Sequence, residues 1–378
     1  MRADPARFNH VMRFIWLFLL ASQLLAAPPG VVINYSPAAS GLYIGSPSMV
    51  ISPSGEYLAS HDFFGPESRE HDSATTVIFK SGDRGESWSR LATLKPLFWA
   101  GLFVHRSDVY IMGTDRHNGR IVIRRSPDGG QTWTVPVDSS HGLLTTRAQY
   151  HTAPTPVVVH QGRLWRGFED ASGGSKWGMR FRAMILSAPE DANLLDAANW
   201  TFSETVPSDP SSWPGGKFNA WLEGNAVVTP GQVVNVLRVD SDGFPEKAAI
   251  LAVSADGAKV LPDFIDFPGG AKKFTIRFDP GTKAYWTLAN AVPKEFQTSA
   301  KPSKIRNTLV LMKSANLREW EVRATLLSHP DPIRHAFQYP DWQFDGLDLI
   351  AAVRTAYDDE RGGARSAHDA NYLTFHRF

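Results

Sequence analysis

Arginine, histidine and tyrosine recur in this chain inside runs that otherwise read as apolar strands. His61 follows Leu58-Ala59-Ser60, His105 closes Leu102-Phe103-Val104, and Tyr150 and His151 stand side by side. Arg166 sits in Leu164-Trp165-Arg166, Arg238 in Val236-Leu237-Arg238 and Arg277 in Thr275-Ile276-Arg277, with Asn225, His335 and Arg354 in comparable settings. A charge in such a segment is costly unless a partner or a ligand meets it. Guanidinium forks hold carboxylates through paired hydrogen bonds, and imidazole or phenol groups beside them can move protons. The set therefore suits an acidic saccharide. Arg166, Arg238, Arg277, Arg354, His151 and Asn225 are candidates for substrate binding, and His61, His105 and Tyr150 for catalysis.

Each has a plainer reading. Arg238 or Arg277 alone fits an ion pair between neighbouring elements better than a ligand contact. His71, His117, His141, His160 and His368 fall in loops and are assigned to the surface. No His-Glu-x-x-His pattern or closely spaced histidine and carboxylate cluster is visible along the chain, so no metal and no cofactor is expected. A net charge of +1 and the absence of a lysine- or arginine-rich run exclude nucleic acid as an expected partner. With no cysteine, the chain has neither disulfides nor a thiol nucleophile. Arg2, Arg7 and Arg13 precede an apolar run from Phe14 to Leu25 and then Ala26-Ala27, an order that predicts a signal peptide over residues 1–27 and export to the periplasm or beyond. After its removal no membrane association is expected, and the mature chain is expected to be a monomer.

The elements that must position these groups are announced by a repeat. Ser81-Gly82-Asp83-Arg84-Gly85-Glu86-Ser87-Trp88 and Ser126-Pro127-Asp128-Gly129-Gly130-Gln131-Thr132-Trp133 share the form Ser-x-Asp-x-Gly-x-Ser/Thr-Trp at a spacing of 45 residues. Repetition at that period indicates stacked equivalent units. Each copy lies between β-like runs, so it reads as a hairpin turn in which Asp accepts backbone N–H groups and Gly supplies positive φ. The pattern resembles the Asp-box of sialidases and related β-propellers, where it joins the third and fourth strands of a blade. A partial copy falls at Ser254-Ala255-Asp256-Gly257 and a degenerate one at Ser314 to Trp320. Residues 28–378 are thus expected to form one all-β, sialidase-like propeller of six to seven four-stranded blades. The count gives six, with Val31–Tyr35 pairing with the last strand to close the ring.

The resemblance carries expectations about chemistry. Sialidases use three arginines on the substrate carboxylate, a Tyr/Glu nucleophile pair and an Asp acid, and begin blade one with Arg-Ile-Pro. This chain has Tyr43-Ile44-Gly45-Ser46-Pro47-Ser48 there, so the first arginine is missing. The chain also resembles the secreted propeller enzymes of polysaccharide lyase family 42 and glycoside hydrolase family 145, and the ulvan lyases. The lyases use a histidine, a tyrosine and an arginine some sixteen residues beyond it, an order that His105, Tyr150 and Arg166 reproduce. The rhamnosidases use a first-blade histidine, which His61 could match. These likenesses imply β-elimination at a uronic acid, such as a rhamnose–glucuronate linkage. Arginines would neutralise the carboxylate, Tyr150 or His105 would exchange protons, and nearby arginines would lower the tyrosine pKa. The alternatives are a glycoside hydrolase on the same scaffold, either an α-L-rhamnosidase or a divergent sialidase, and a non-catalytic glycan-binding propeller.

Overall fold

The computed structural model describes residues 27–378 except 213–217, 253–261 and 299–300. All but Ala27 of the segment read as a signal peptide, and the partial repeat at Ser254–Gly257, lie outside the described residues.

Short, turn-punctuated β-runs pair with their neighbours in sequence, giving six antiparallel sheets that form the blades of one propeller. Blade 1 holds Ser48–Ile51, Tyr57–Phe64, Thr76–Ser81 and Ser89–Leu94, with Tyr43–Ile44 extending its inner edge. Blade 2 holds Phe98–His105, Asp108–Thr114 and Ile121–Ser126, and a single bridge from Val122 to Leu143 marks its outer edge. Blade 3 is built on Arg163–Asp170 and Arg182–Pro189, with the inner edge split between Tyr150–His151 and Val158–His160. Blade 4 runs from Phe218–Thr229 to Asp263–Asp266 and blade 5 from Thr275–Asp279 to Glu321–Ser328. Blade 6 combines Ala336–Asp345, Asp348–Ala356 and Tyr372–Arg377 with Val31–Tyr35. The pairs Val31 with Phe375 and Tyr35 with Tyr372 close the ring as expected, leaving no open sheet edge at the seam.

The core lies between blades. Ile44, Met49 and Tyr57 of blade 1 pack with Ile350 and Phe375 of blade 6, and Met112 and Ile123 of blade 2 with Phe168 and Leu186 of blade 3. The repeated turns are built alike. Asp128 accepts from Thr132 N at 2.9 Å, Thr132 Oγ1 at 2.6 Å and Ser126 Oγ at 2.8 Å, and Asp83 bonds Ser87 and Ser81 in the same way. The degenerate copy uses Asn316, which accepts from Arg318 N and Glu319 N, and the Nε1–H of Trp320 donates to Leu317 O as that of Trp133 does to Gly130 O. Gly85, at φ 97°, must stay glycine because a Cβ there would stand 2.1 Å from the Phe375 ring.

What positions the site is an interruption of the inner strands. Register breaks fall between Phe98 and Gly101 in blade 2, Leu222 and Asn225 in blade 4, and Gln338 and Asp341 in blade 6. Within each break one non-glycine residue is left-handed: Trp99 at φ 49°, Glu223 at 58° and Tyr339 at 54°. Such bulges re-aim a side chain at a cost of about 1–2 kcal/mol each, and they concentrate at functional sites.

Candidate active site

Two of these bulge residues meet. The Tyr339 hydroxyl donates to Glu223 Oε1 at 2.8 Å, and Arg238 Nη1 donates to Glu223 Oε2 at 3.0 Å. Glu223 and Arg238 lie opposite one another across blade 4, whereas Tyr339 comes from blade 6, so the pair forms across the ring. Burial works against the Glu223 charge, but Arg238 outweighs it and holds the carboxyl below its ordinary value. Burial and the Glu223 charge push the Tyr339 phenol up, against the pull of Arg238, Arg306 and Arg354.

Arg306 and Arg354 flank the phenol, their guanidinium carbons 5.7 Å and 5.2 Å from its ring centre. Arg306 is only 7 % exposed and donates to Gln338 Oε1 and Ser303 O, both neutral. Arg354 is 4 % exposed, lies over the Phe64 ring and donates to His368 O, while its Nε has no partner. Among the described residues neither guanidinium forms an ion pair. Burial lowers both, Arg354 to about 10.

A second acid–base pair adjoins this group. His151 Nδ1 and Glu169 Oε2 are 2.7 Å apart, both residues are buried, and Glu169 Oε1 accepts from Gly224 N, the residue after Glu223. The His151 ring is packed between Trp99 and Phe181, each at 4.4 Å. Asp62 sits in the blade 1 wall, accepting from Ser46 N and Trp99 N at 2.6 Å each, and burial raises its pKa to about 6. Its carboxylate occupies the place of any side chain at position 45, since a Cβ on Gly45 would lie 1.6 Å from Asp62 Oδ1. No side chain fits at this position of the Tyr43–Ser48 segment while Asp62 holds that place.

The structure thus brings Arg238, Arg354 and His151 together and adds Glu223, Tyr339, Arg306 and Glu169, which the sequence reading missed. The three-residue lyase set is not assembled. His105 lies at the far end of its strand, six residues or about 20 Å from Trp99, where its Nε2–H donates to Glu190 O. Tyr150 is packed in the core between blades 2 and 3 beneath Arg147, and burial raises its pKa, where neighbouring arginines were expected to lower it. Arg166 is fully buried between blades 2 and 3 and donates to Gly101 O and Ala153 O.

The other candidates are bonded to neighbouring elements of the scaffold. His61 is fully buried, accepting from Asn34 Nδ2 at Nε2 and donating from Nδ1 to Asp62 O. Asn225 ties blade 4 to blade 5 through Phe274 O and Ile276 N. Arg277 bonds Trp342 O and pairs with Asp341 in the wall of a cavity of about 200 Å³ that Val104 and Gln343 also line. His335 stacks on His329 between Asp331 and Asp358. Conversely His117, expected at the surface, is half-buried against Trp99, whereas His368 is exposed as expected, edge-on to Phe64.

Neither a protein-family model nor a curated protein sequence matches this chain. Solved structures do. An α-L-arabinanase of Penicillium chrysogenum, solved with arabinobiose, matches at 13 % identity and TM-score 0.59, covering 92 % of this chain and 97 % of its own. A Hadza microbial sialidase matches at 12 % identity and TM-score 0.61, over 92 % of this chain and 68 % of its own. Trypanosoma rangeli sialidase, solved with the inhibitor DANA, matches at 14 % identity and TM-score 0.60, over 89 % and 55 %. At these identities the likeness shows the architecture alone: the chain is a six-bladed β-propeller of the kind found in sialidases and arabinanases.

Proposed function

We propose that this protein is a retaining, exo-acting glycoside hydrolase whose substrate ends in a sugar bearing a carboxylate. The observation that carries this reading is the Tyr339–Glu223 hydrogen bond flanked by Arg306 and Arg354, two buried guanidiniums without an ion-pair partner among the described residues. Leaving two such cations uncompensated is expensive, and an incoming carboxylate supplies the missing charge.

The chemistry follows from the residue types. A carboxylate nucleophile would be repelled by an anionic sugar, whereas a phenol approaches without charge. Glu223 takes the Tyr339 proton as the phenol oxygen attacks the anomeric carbon, and the adjacent guanidiniums stabilise the developing phenolate. The His151–Glu169 pair gives a proton to the departing oxygen and then removes one from the water that releases the sugar. Trypanosoma rangeli sialidase, also solved as a covalent intermediate with a difluorosialic acid, supports a glycosyl-enzyme on this scaffold. Arg354 enters from blade 6 as a third guanidinium, which offsets the arginine absent from the Tyr43–Ser48 segment. Export, read from the N-terminal segment, would place the enzyme among extracellular glycans.

A second reading, cleavage of a neutral arabinoside with Glu223 and Glu169 as the working carboxylates, is favoured by the arabinanase likeness spanning nearly both whole chains. Chromogenic glycosides of glucuronic acid, N-acetylneuraminic acid and arabinofuranose separate the two. We expect turnover of a carboxylated substrate with retained configuration, and about 10²-fold or greater loss of kcat in Tyr339→Phe and Glu223→Gln. Turnover confined to the arabinofuranoside selects the second reading, and ultraviolet absorbance from an unsaturated uronate refutes both.

A further inference from the structure

Beside the site, two loops bring together a group of metal-binding type. Glu70 and His71 lie in the loop between Tyr57–Phe64 and Thr76–Ser81 of blade 1, and His117 in the loop between Asp108–Thr114 and Ile121–Ser126 of blade 2. Glu70 Oε1 is 3.3 Å from His71 Nε2 and 4.0 Å from His117 Nδ1, and one ligand atom from each residue falls within 4.8 Å of the others. A tetrahedral ion with bonds of about 2.0–2.1 Å needs ligand separations of about 3.4 Å, so only small side-chain rotations are required. The backbone is already set, because His117 N donates to Glu70 O at 2.6 Å. Glu70 Oε2 is buried and has no hydrogen-bond partner among the described residues.

From this arrangement we infer a site for a divalent transition-metal ion, of which zinc is the representative. Two imidazoles and one carboxylate suit a borderline cation, whereas calcium or magnesium would call for a shell of oxygens. Three protein ligands leave one position for water. The ion joins blade 1 to blade 2 at the rim of the candidate active site. His117 stands 4.8 Å from Trp99, whose own ring covers His151, so the ion braces one wall of that site. The inference concerns binding and is independent of the reaction proposed above.

Metal-stripped, untagged protein is titrated with zinc chloride by calorimetry. We expect one ion per chain, affinity at least about tenfold weaker in His71→Ala, and a zinc-dependent rise in melting temperature in the wild type that His71→Ala lacks. His71 is suited to the test because its side chain is 74 % exposed, so its removal should spare the fold. His141→Ala, which removes an exposed histidine beside Asp138, should bind zinc as the wild type does. Absence of saturable binding, equal affinity in His71→Ala, or displacement of zinc by equimolar calcium overturns the inference.

Discussion

Replacing His61 with asparagine separates a structural histidine from a catalytic one, because the two roles give opposite results. The ring is fully buried, stacked at 5.7 Å on Phe79 and edge-on to Phe63 at 4.8 Å, with both nitrogens committed to Asn34 and Asp62. Burial is the main cause that depresses its pKa from 6.5 to about 4, and the Arg90 charge adds to it. A histidine lowered on folding binds fewer protons in the native than in the unfolded chain. Its contribution to stability is therefore fully present above pH 6.5 and is lost as pH falls through 4. At about 1.4 kcal/mol per pKa unit, the wild type loses about 2 kcal/mol of this contribution between pH 7 and pH 5, and about 3 kcal/mol by pH 4. His61→Asn has no such group, so the stability gap between the two proteins, measured by urea unfolding at each pH, should narrow by those amounts. Turnover by the folded variant at pH 7 should be unchanged. A gap that stays constant with pH, or a folded variant whose kcat falls a hundredfold, would refute the reasoning.

Three further tests probe other parts of the argument. Arg354→Met should raise KM for a carboxylated substrate by about tenfold or more, the equivalent of one charge-assisted hydrogen bond, and leave KM for a neutral aryl glycoside unchanged; equal effects on both would place Arg354 in the scaffold. Asp128→Ala removes the acceptor of three hydrogen bonds in the second repeated turn and should cost roughly 1–2 kcal/mol in urea unfolding, discounted because the turn is solvated, with kcat intact. His105→Ala should leave both stability and turnover unaltered, since among the described residues its ring meets Glu190 O and Tyr110, at the far end of the strand from Trp99; a large loss of kcat would return it to the chemistry.

The repeats at Ser81–Trp88 and Ser126–Trp133 made the propeller legible, because a turn that needs Asp, Gly and Trp at set offsets is a local requirement and local requirements are written in consecutive residues. The pairing of Val31–Tyr35 with the last strand followed from the same logic of closing every edge. The residues of the candidate site were harder to see. Glu223 and Tyr339 are 116 positions apart, and nothing within either segment names its partner. A trace was present in the breakers that follow them, Glu223-Gly224 and Tyr339-Pro340 inside otherwise strand-like runs, which is how a bulge announces itself. His117 and His71 are likewise 46 positions apart, so their cluster with Glu70 is invisible to a search for closely spaced ligands.

His105, Tyr150 and Arg166 have a suggestive order along the chain, yet strand length sends His105 to one end of its blade while burial claims the other two. Composition, strand period and turn chemistry are properties of neighbours in sequence, so the chain by itself determined the kind of fold, the blade count and the presence of strand-borne arginines. Which arginines lose their carboxylates, which glutamate meets a tyrosine, and that Asp62 occupies the space beside Gly45 were decided only when the ring closed. Those facts are distances between blades, and no segment holds them alone.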